Sequence, residues 1–506
     1  MEQQLLFILF EYLTLVFFLL KYIKKRKEDI MKKISKSLLA VILAAAMMFT
    51  ALIPSFAFED VVWEKTWSDE YDNGVILFPG SDNSEMNVSW YSETESEPKV
   101  IVSEGFIIGG DSKEFKGYSV ATYDGDYSNK VTVTGLEPDT TYSYKCVSDG
   151  FESAVYSFKT DADNNEFSAV YMTDIHVSYD SEDETVLKDT AQQFNSVLNE
   201  AASRRNLSIL LSTGDQASLG LESEYKAFSN ATMLKKIPVA TTIGNHDRKG
   251  VAYKTFNNVP NEREDNIVSS YIGGDYWFVK GDVLFLVVDS NNASGIDHRS
   301  FVKSAVNANP DVKWKVMMAH HDMYSGRIPH RESENALIRL LWAPIADEFG
   351  IDLVLLGHSH YYTVTNVMYN NKAVADYEPV MTDPEGTIYM VSGSITRPRN
   401  DDELGLNEEW IGAYNTPDER VIYNILDFTE ESITVSSYYQ GEQDAFNSYK
   451  IVKTSNNGGH PESLLPPAFS GFVRFIGTVY GLFNNIGVYS DLKDYGFDVD
   501  FFELVF

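Results

Sequence analysis

The hydrophobic and polar positions divide the chain into stretches of different rhythm. Residues 5–20 and 38–53 are near-continuous apolar runs. From about Val75 to Thr160, apolar and polar residues alternate in short runs such as 87–91, 98–102 and 130–133, with Gly and Asp/Asn turns between them. Strands of this length and spacing predict a small all-β sandwich over residues 65–160. Beyond it the rhythm changes. Largely apolar runs at 167–172, 207–211, 238–243, 314–319 and 351–356, each with only one or two polar residues, are separated in several places by amphipathic stretches. One is Glu184–Arg204, with Leu187, Phe194, Val197, Leu198 and Ala201 near helical spacing; another is 333–349. Buried strands alternating with helices predict an α/β domain over 165–453. Further runs at 387–391, 421–426 and 432–438 predict a second sheet, the last two paired, which makes the domain a four-layer αββα sandwich. Asn456 to Gly459 reads as a linker. Residues 454–506 form an aromatic, acidic tail to which the pattern assigns no role.

The amino terminus holds two apolar runs with different flanks. Lys32, Lys33 and Lys36 precede the run at 38–53, and Pro54-Ser55-Phe56-Ala57 follows it. That is the layout of a bacterial secretory signal peptide, residues 31–57, cut after Ala57. It predicts a secreted or cell-surface protein with no membrane span in the mature chain. Residues 1–30 read as an over-extended gene start, because Lys27-Glu28-Asp29 can be encoded by AAG-GAG-GAT, a ribosome-binding sequence just ahead of Met31. The other reading is a membrane anchor, with Lys21 to Lys27 as its cytoplasmic charge.

Composition narrows the chemistry. The 506 residues carry 41 Lys+Arg against 74 Asp+Glu, a net charge of -33. Such a surface repels phosphate backbones and disfavours nucleic acid as a partner. The single cysteine, Cys146, excludes a disulfide framework and thiolate-rich metal sites. Metal ligands must then come from His, Asp, Glu and Asn.

Each of the five apolar runs ends in such residues. They lead into Asp174-Ile175-His176, Gly214-Asp215, Gly244-Asn245-His246-Asp247, His320-His321 and Gly357-His358-Ser359-His360. Six of the nine histidines sit in these clusters; only His298, His330 and His460 do not. Open α/β sheets bind ligands beyond the carboxyl ends of their strands, so the clusters should meet at one rim. Two divalent ions ~3.5–4 Å apart can clamp a phosphoryl group and activate water. A shared carboxylate must offset the repulsion between them, and Asp215 is the natural bridge. Asp-x-His and His-x-His place two side chains on one side of an extended segment. Imidazole with carboxylate suits manganese, iron or zinc better than calcium. Asn245 would add a neutral ligand.

This ordered set resembles the calcineurin-like metallophosphoesterases. The segment 135–142, ending in Tyr142, resembles the tyrosine corner of fibronectin type III domains, and that layout resembles the purple-acid-phosphatase-like branch. The resemblance implies a secreted hydrolase of small phosphate esters that uses a metal-bound hydroxide and two divalent ions. One ion would take Asp174, His176, Asp215 and His360; the other Asp215, Asn245, His320 and His358. His246, held by Asp247, would act as general acid, and His321 would face substrate. Arg248 and Arg327 read as solvated arginines. Monoester and diester substrates, including a nucleotidase reading, both stay open, and a non-catalytic surface protein is the alternative class. One position departs from the purple enzymes: Ser218 stands where they carry the tyrosine that binds ferric iron, so a purple centre is not expected.

Overall fold

A computed structural model describes residues 73–454, apart from 180, 182, 264–272, 293, 328–333, 400–407 and 416–418. The expected signal peptide, the stretch before it and the carboxyl-terminal tail lie outside the described residues.

The alternating region forms two antiparallel sheets around one core. One sheet orders Ile76–Pro79, Glu85–Ser92, Tyr127–Thr134 and Tyr118–Ala121; the other orders Lys113–Lys116, Lys99–Glu104, Thr141–Ser148 and Phe151–Glu152, with Tyr156–Lys159 also on Thr141–Ser148. Every second residue turns inward: Val88 and Trp90 from one sheet meet Tyr142, Tyr144 and Cys146 from the other. Cys146 is fully buried. It packs as a small apolar side chain. The Tyr142 hydroxyl accepts the Glu137 N–H at 2.8 Å, which ties the sheet corner to the turn before it.

The outer face of this sandwich is not left to solvent. Ile76, Phe78 and Tyr91 join the same apolar cluster as Phe228 and Phe256 of the following domain. The Tyr144 hydroxyl donates to the Lys235 carbonyl at 2.9 Å, and Asn258 Nδ2 donates to the Val88 carbonyl at 3.0 Å. The sandwich is thus a packed support for the α/β domain.

That domain has two seven-stranded sheets. The first contains Val239–Thr241, Leu207–Ser212, Phe167–Met172, Ile422–Phe428, Ser432–Tyr439, Asn447–Val452 and Val380–Thr382; the second contains Tyr276–Lys280, Val283–Val287, Trp314–Met318, Leu353–Leu356, Ile388–Val391, Thr363–Thr365 and Ile411–Tyr414. The parallel strands at the middle of the sheets look largely apolar because both faces are covered. Ala169 and Tyr171 fill the space between the sheets with Val316, Met318, Leu353 and Leu355. Val170 and Met172 turn out toward Phe194, Val197 and Leu198 of the helix Glu184–Arg204. Met317 and Val354 turn the other way, toward the helices Gly295–Ala308 and Glu334–Phe349. This is the expected αββα order, but the expectation that the runs at 387–391, 421–426 and 432–438 share one sheet is corrected: Ile388–Val391 joins Leu353–Leu356, while Ile422–Phe428 and Ser432–Tyr439 extend the sheet of Phe167–Met172.

The topology explains the rim. Phe167–Met172, Leu207–Ser212 and Val239–Thr241 are mutually parallel. So are Val283–Val287, Trp314–Met318, Leu353–Leu356 and Ile388–Val391. A bridge between Thr173 and Ser394 joins the ends of the two sets. Ser432–Tyr439 pairs with Ile422–Phe428 as the pattern predicts. Several pairings were not legible, among them those of Thr363–Thr365 with Ile388–Val391 and with Ile411–Tyr414. Val380–Thr382 adds to an edge in parallel with Asn447–Val452, and Tyr276–Lys280 forms a hairpin with Val283–Val287. A short edge strand has one neighbour and carries little periodic signal. Among the described residues, no helix is long and apolar enough to cross a membrane.

Candidate metal centre

All five strand-end clusters meet at the shared rim. Three interlocking groups have ligand atoms within 4.8 Å of one another: Asp174 with His176 and His360, Asp174 with Asp215 and His320, and His176 with Asp215 and His246. Asn245 and His358 extend them, with Asn245 Oδ1 at 3.0 Å from His320 Nε2 and 2.9 Å from His358 Nδ1.

The backbone reaches this geometry by turning sharply. Asp174, His176, Asp215, His358 and His360 all have φ between 48° and 74°. The expectation that Asp-x-His and His-x-His lie on extended segments is corrected here. Both members of each pair sit in left-handed turns, which Asp and His tolerate better than bulkier or β-branched residues. Such strain collects at functional sites. Two glycines give the turns room. A Cβ on Gly214 would lie 2.4 Å from His320 Nδ1, and one on Gly244 would lie 2.0 Å from Asp215 Oδ1.

Hydrogen bonds at the back of each ring decide which nitrogen faces the centre. A carbonyl oxygen can only accept, so a ring nitrogen against one carries the proton. His360 Nδ1 lies 2.9 Å from the Arg397 carbonyl, and His320 Nδ1 lies 2.8 Å from the Thr213 carbonyl. Their Nε2 lone pairs then point inward. His360 Nε2 is 3.1 Å from Asp174 Oδ1 and 3.2 Å from His176 Nε2. His320 Nε2 is 3.2 Å from Asp215 Oδ2. Asp174 Oδ1 is fully buried and receives no hydrogen bond. Electron pairs aimed at one another in a buried site are unfavourable unless positive charge lies among them. The residues present therefore fit divalent cations.

The electrostatics agree. Burial pushes the His176 imidazole down to about 3, so it is neutral and able to ligate. Burial also opposes ionisation of Asp174 and Asp215. The neighbouring histidines outweigh it, holding Asp174 at about 2 and Asp215 below the usual carboxylate range. Burial would lower His320, yet the Asp215 carboxylate raises it to about 10. The proton it would hold marks where a cation belongs.

His246 stands beside this cluster, its ring 4.6 Å from that of His176. Its backbone N–H donates to Asp215 Oδ1 at 2.8 Å. Its Nδ1 lies 2.8 Å from the Ser218 carbonyl and 2.7 Å from Lys249 Nζ. The expectation that Asp247 holds this ring is corrected. Both Asp247 oxygens are taken up elsewhere, by the backbone N–H groups of Asp215, Ala217 and Gly244 and by the Tyr225 hydroxyl, at 2.7–3.0 Å. Asp247 shapes the Asp215 loop, and burial raises its carboxyl to about 7.

The His321 ring packs against that of His358 at a tilt of 47°, with centroids 4.5 Å apart. Ser290 Oγ accepts the His320 and His321 backbone N–H groups and lies 2.8 Å from His321 Nδ1. With both lone pairs engaged, the serine proton goes to Nδ1. The neutral His321 ring therefore carries its hydrogen on Nε2. Ser218 Oγ lies 3.4 Å from His176 Nδ1, on the far side of that ring from the centre. Arg248 is half-buried, with Nη1 3.5 Å from the Asn291 carbonyl.

Sequence reasoning missed several supports. Ser290 follows the apolar run Val283–Val287, and Ser394 follows Ile388–Val391, whose hydroxyl donates to the Asp174 carbonyl at 2.6 Å. Both repeat the signal of an apolar run ending in polar residues, but neither contains a histidine. Glu224 and Tyr225, in the first turn of the helix Glu222–Ser229, had no such signal.

Comparisons with known proteins agree with this geometry. Residues 168–362 match the family described as calcineurin-like phosphoesterase, and residues 72–160 match the purple acid phosphatase N-terminal domain. Among solved structures, the chain is similar to purple acid phosphatase PPD1 from yellow lupin (Lupinus luteus) seeds, at 16% identity and TM-score 0.64, covering 78% of this chain and 76% of that one. It is also similar to PhoD, at 13% identity and TM-score 0.50, covering 82% of this chain and 98% of that one. At these identities the likeness is one of fold. No curated protein matches the chain.

Proposed function

The chain carries a calcineurin-like phosphoesterase domain behind a purple acid phosphatase N-terminal domain and is a metal-dependent phosphoesterase; from that premise we propose that it is a secreted hydrolase of small phosphate esters with a two-ion centre. Asp174, His176, Asp215 and His360 would hold one ion, and Asp215, Asn245, His320 and His358 the other. Manganese, iron and zinc suit this donor set. Residues 65–160 and 165–453 are its working domains, and 31–57 its export signal. The observation that supports the reading most is the convergence of buried acceptors around Asp174, Asp215 and the inward nitrogens of His320 and His360.

When bound, the ions supply Lewis acidity and an activated water. The chain supplies the rest. Asp215 reaches both halves of the site, with Oδ2 3.6 Å from His176 Nε2 and 3.2 Å from His320 Nε2. The Arg397 and Thr213 carbonyls fix the ring orientations, as second partners of ligating histidines generally do. His321, with hydrogen on Nε2, donates to a non-bridging phosphoryl oxygen. His246, its Nδ1 hydrogen donated to the Ser218 carbonyl, presents Nε2 to the departing oxygen and protonates it.

The test is hydrolysis of nitrophenyl phosphate and bis-nitrophenyl phosphate. Chelator should abolish turnover and added manganese should restore it, and the ratio of the two rates assigns monoester or diester preference. Turnover that survives exhaustive chelation would overturn the metal-dependent reading. A protein that binds metal and turns over neither ester would return the alternative of a surface-binding protein.

The metal-loaded protein should also lack a purple absorption band. That colour needs a phenolate on ferric iron, and Ser218 occupies the position. The hydroxyls of two tyrosines on the motif-bearing elements are engaged elsewhere, Tyr171 with the Leu356 carbonyl and Tyr225 with Asp247. A strong visible band bleached by reduction would show that a tyrosine ligates after all.

A further inference from the structure

The first turn of the helix Glu222–Ser229 reaches three of the motif loops through its side chains. Tyr225 bonds Asp247. Glu224 does more. Its carboxylate is 1% exposed. Oε1 accepts the Ser178 hydroxyl, the Ser218 N–H at 3.0 Å and the Leu219 N–H at 3.1 Å. Oε2 accepts the Leu219 N–H at 3.0 Å and the Leu221 N–H at 2.8 Å. Only the Leu221 bond belongs to the ordinary capping of this helix. The others join the loop after His176 to the loop after Asp215.

We propose that Glu224 is a positioning residue of the hydrolytic site, acting through the Ser218–Leu219 peptide on His246; the proposal rests on the role given to His246 above. A trans peptide is planar, so its N–H and C=O point in opposite directions and rotate together. In this peptide the Leu219 N–H is bound on both Glu224 oxygens, and the Ser218 C=O faces His246 Nδ1 at 2.8 Å and Lys249 Nζ at 3.0 Å. The carboxylate on one side therefore sets the acceptor on the other. Releasing Glu224 frees the peptide to turn and removes the carbonyl acceptor that faces the His246 ring. The Ser178 bond steadies the same carboxylate from the His176 side.

The experiment is a double-mutant cycle of Glu224→Ala with His246→Ala, measured on glycerol phosphate and nitrophenyl phosphate, with metal content recorded. Removing the outer hydrogen-bond partner of a metal ligand typically costs ~10–100-fold, and a loss of the same order is taken for the partner of His246. We expect that loss on glycerol phosphate, a loss under ~3-fold on nitrophenyl phosphate, and both ions retained. In the His246→Ala background, Glu224→Ala should add little, because residues acting through one another are not additive. Equal losses on the two substrates, or a full additional loss in that background, would overturn the proposal and leave Glu224 a structural anchor. Glu224→Gln serves if the alanine variant does not fold. Its amide hydrogens would oppose the Leu219 or Leu221 N–H, so the same pattern should appear at smaller size. A measurement independent of turnover is the ¹⁵N resonance of the His246 ring. It should shift in Glu224→Gln, and an unchanged resonance would also overturn the proposal. A wild-type protein without metal-dependent turnover would instead defeat the reading beneath it, while the ring resonance would still report on Glu224.

Discussion

Replacing Asp215 with asparagine is expected to reduce hydrolysis to the level of chelated protein and to leave at most one metal ion per chain. Asp215 is 1% exposed, and its Oδ2 stands between the inward nitrogens of His176 and His320. It is a carboxylate in reach of both halves of the site. Two divalent cations a few ångströms apart repel strongly in a buried environment, and a shared negative charge offsets that repulsion. Asparagine keeps the shape and can still accept the His246 N–H through Oδ1. The loop should hold, and the loss is then one of charge. Metal ions contribute several kcal/mol of transition-state stabilisation, which corresponds to a rate loss of ~10³-fold or more. Elemental analysis beside a rate assay decides it. Two tightly bound ions in the variant would remove Asp215 from the bridge.

Replacing His246 with alanine should separate proton transfer from metal binding. General acid catalysis contributes ~10²–10⁴-fold. That loss should appear for glycerol phosphate, whose alkoxide needs a proton to leave. It should be much smaller for nitrophenyl phosphate, whose phenolate leaves unaided. Both ions should stay. The geometry makes this a sharp test, because His246 also falls within 4.8 Å of ligand atoms on His176 and Asp215. Loss of an ion would make His246 a ligand and redraw the site. Equal losses on both substrates with the ions in place would assign it to phosphate positioning.

Much of this site was legible before any coordinates. The clusters at 174–176, 214–215, 244–247, 320–321 and 357–360 each follow a largely apolar run, and a run buried on both faces can only end at a rim. Histidine and aspartate at those ends are visible as residue types. The helix Glu184–Arg204 could be read because its apolar positions recur at helical spacing along one face. What could not be read were partners distant in sequence with ordinary composition. Ser290 orients His321 across 31 positions, and Arg397 orients His360 through a backbone carbonyl that any residue would offer. Asp247 looked like the partner of its neighbour His246. Yet adjacent side chains in a tight turn diverge, and Asp247 turned instead to four donors on the loops and helix around it.

The sequence by itself determined the strands that end in the five clusters, the helix Glu184–Arg204, the residue types available to bind cations, and the absence of a tyrosine at position 218. These depend on local periodicity and side-chain chemistry, which are properties of short segments. The tertiary structure alone decided which nitrogen of each histidine faces inward, that the ligand pairs sit in left-handed turns, and that Glu224 reaches the Ser218–Leu219 peptide. These depend on where distant carbonyls and carboxylates come to rest. A backbone carbonyl looks the same at every position of a chain, and only folding gives one of them a histidine to hold.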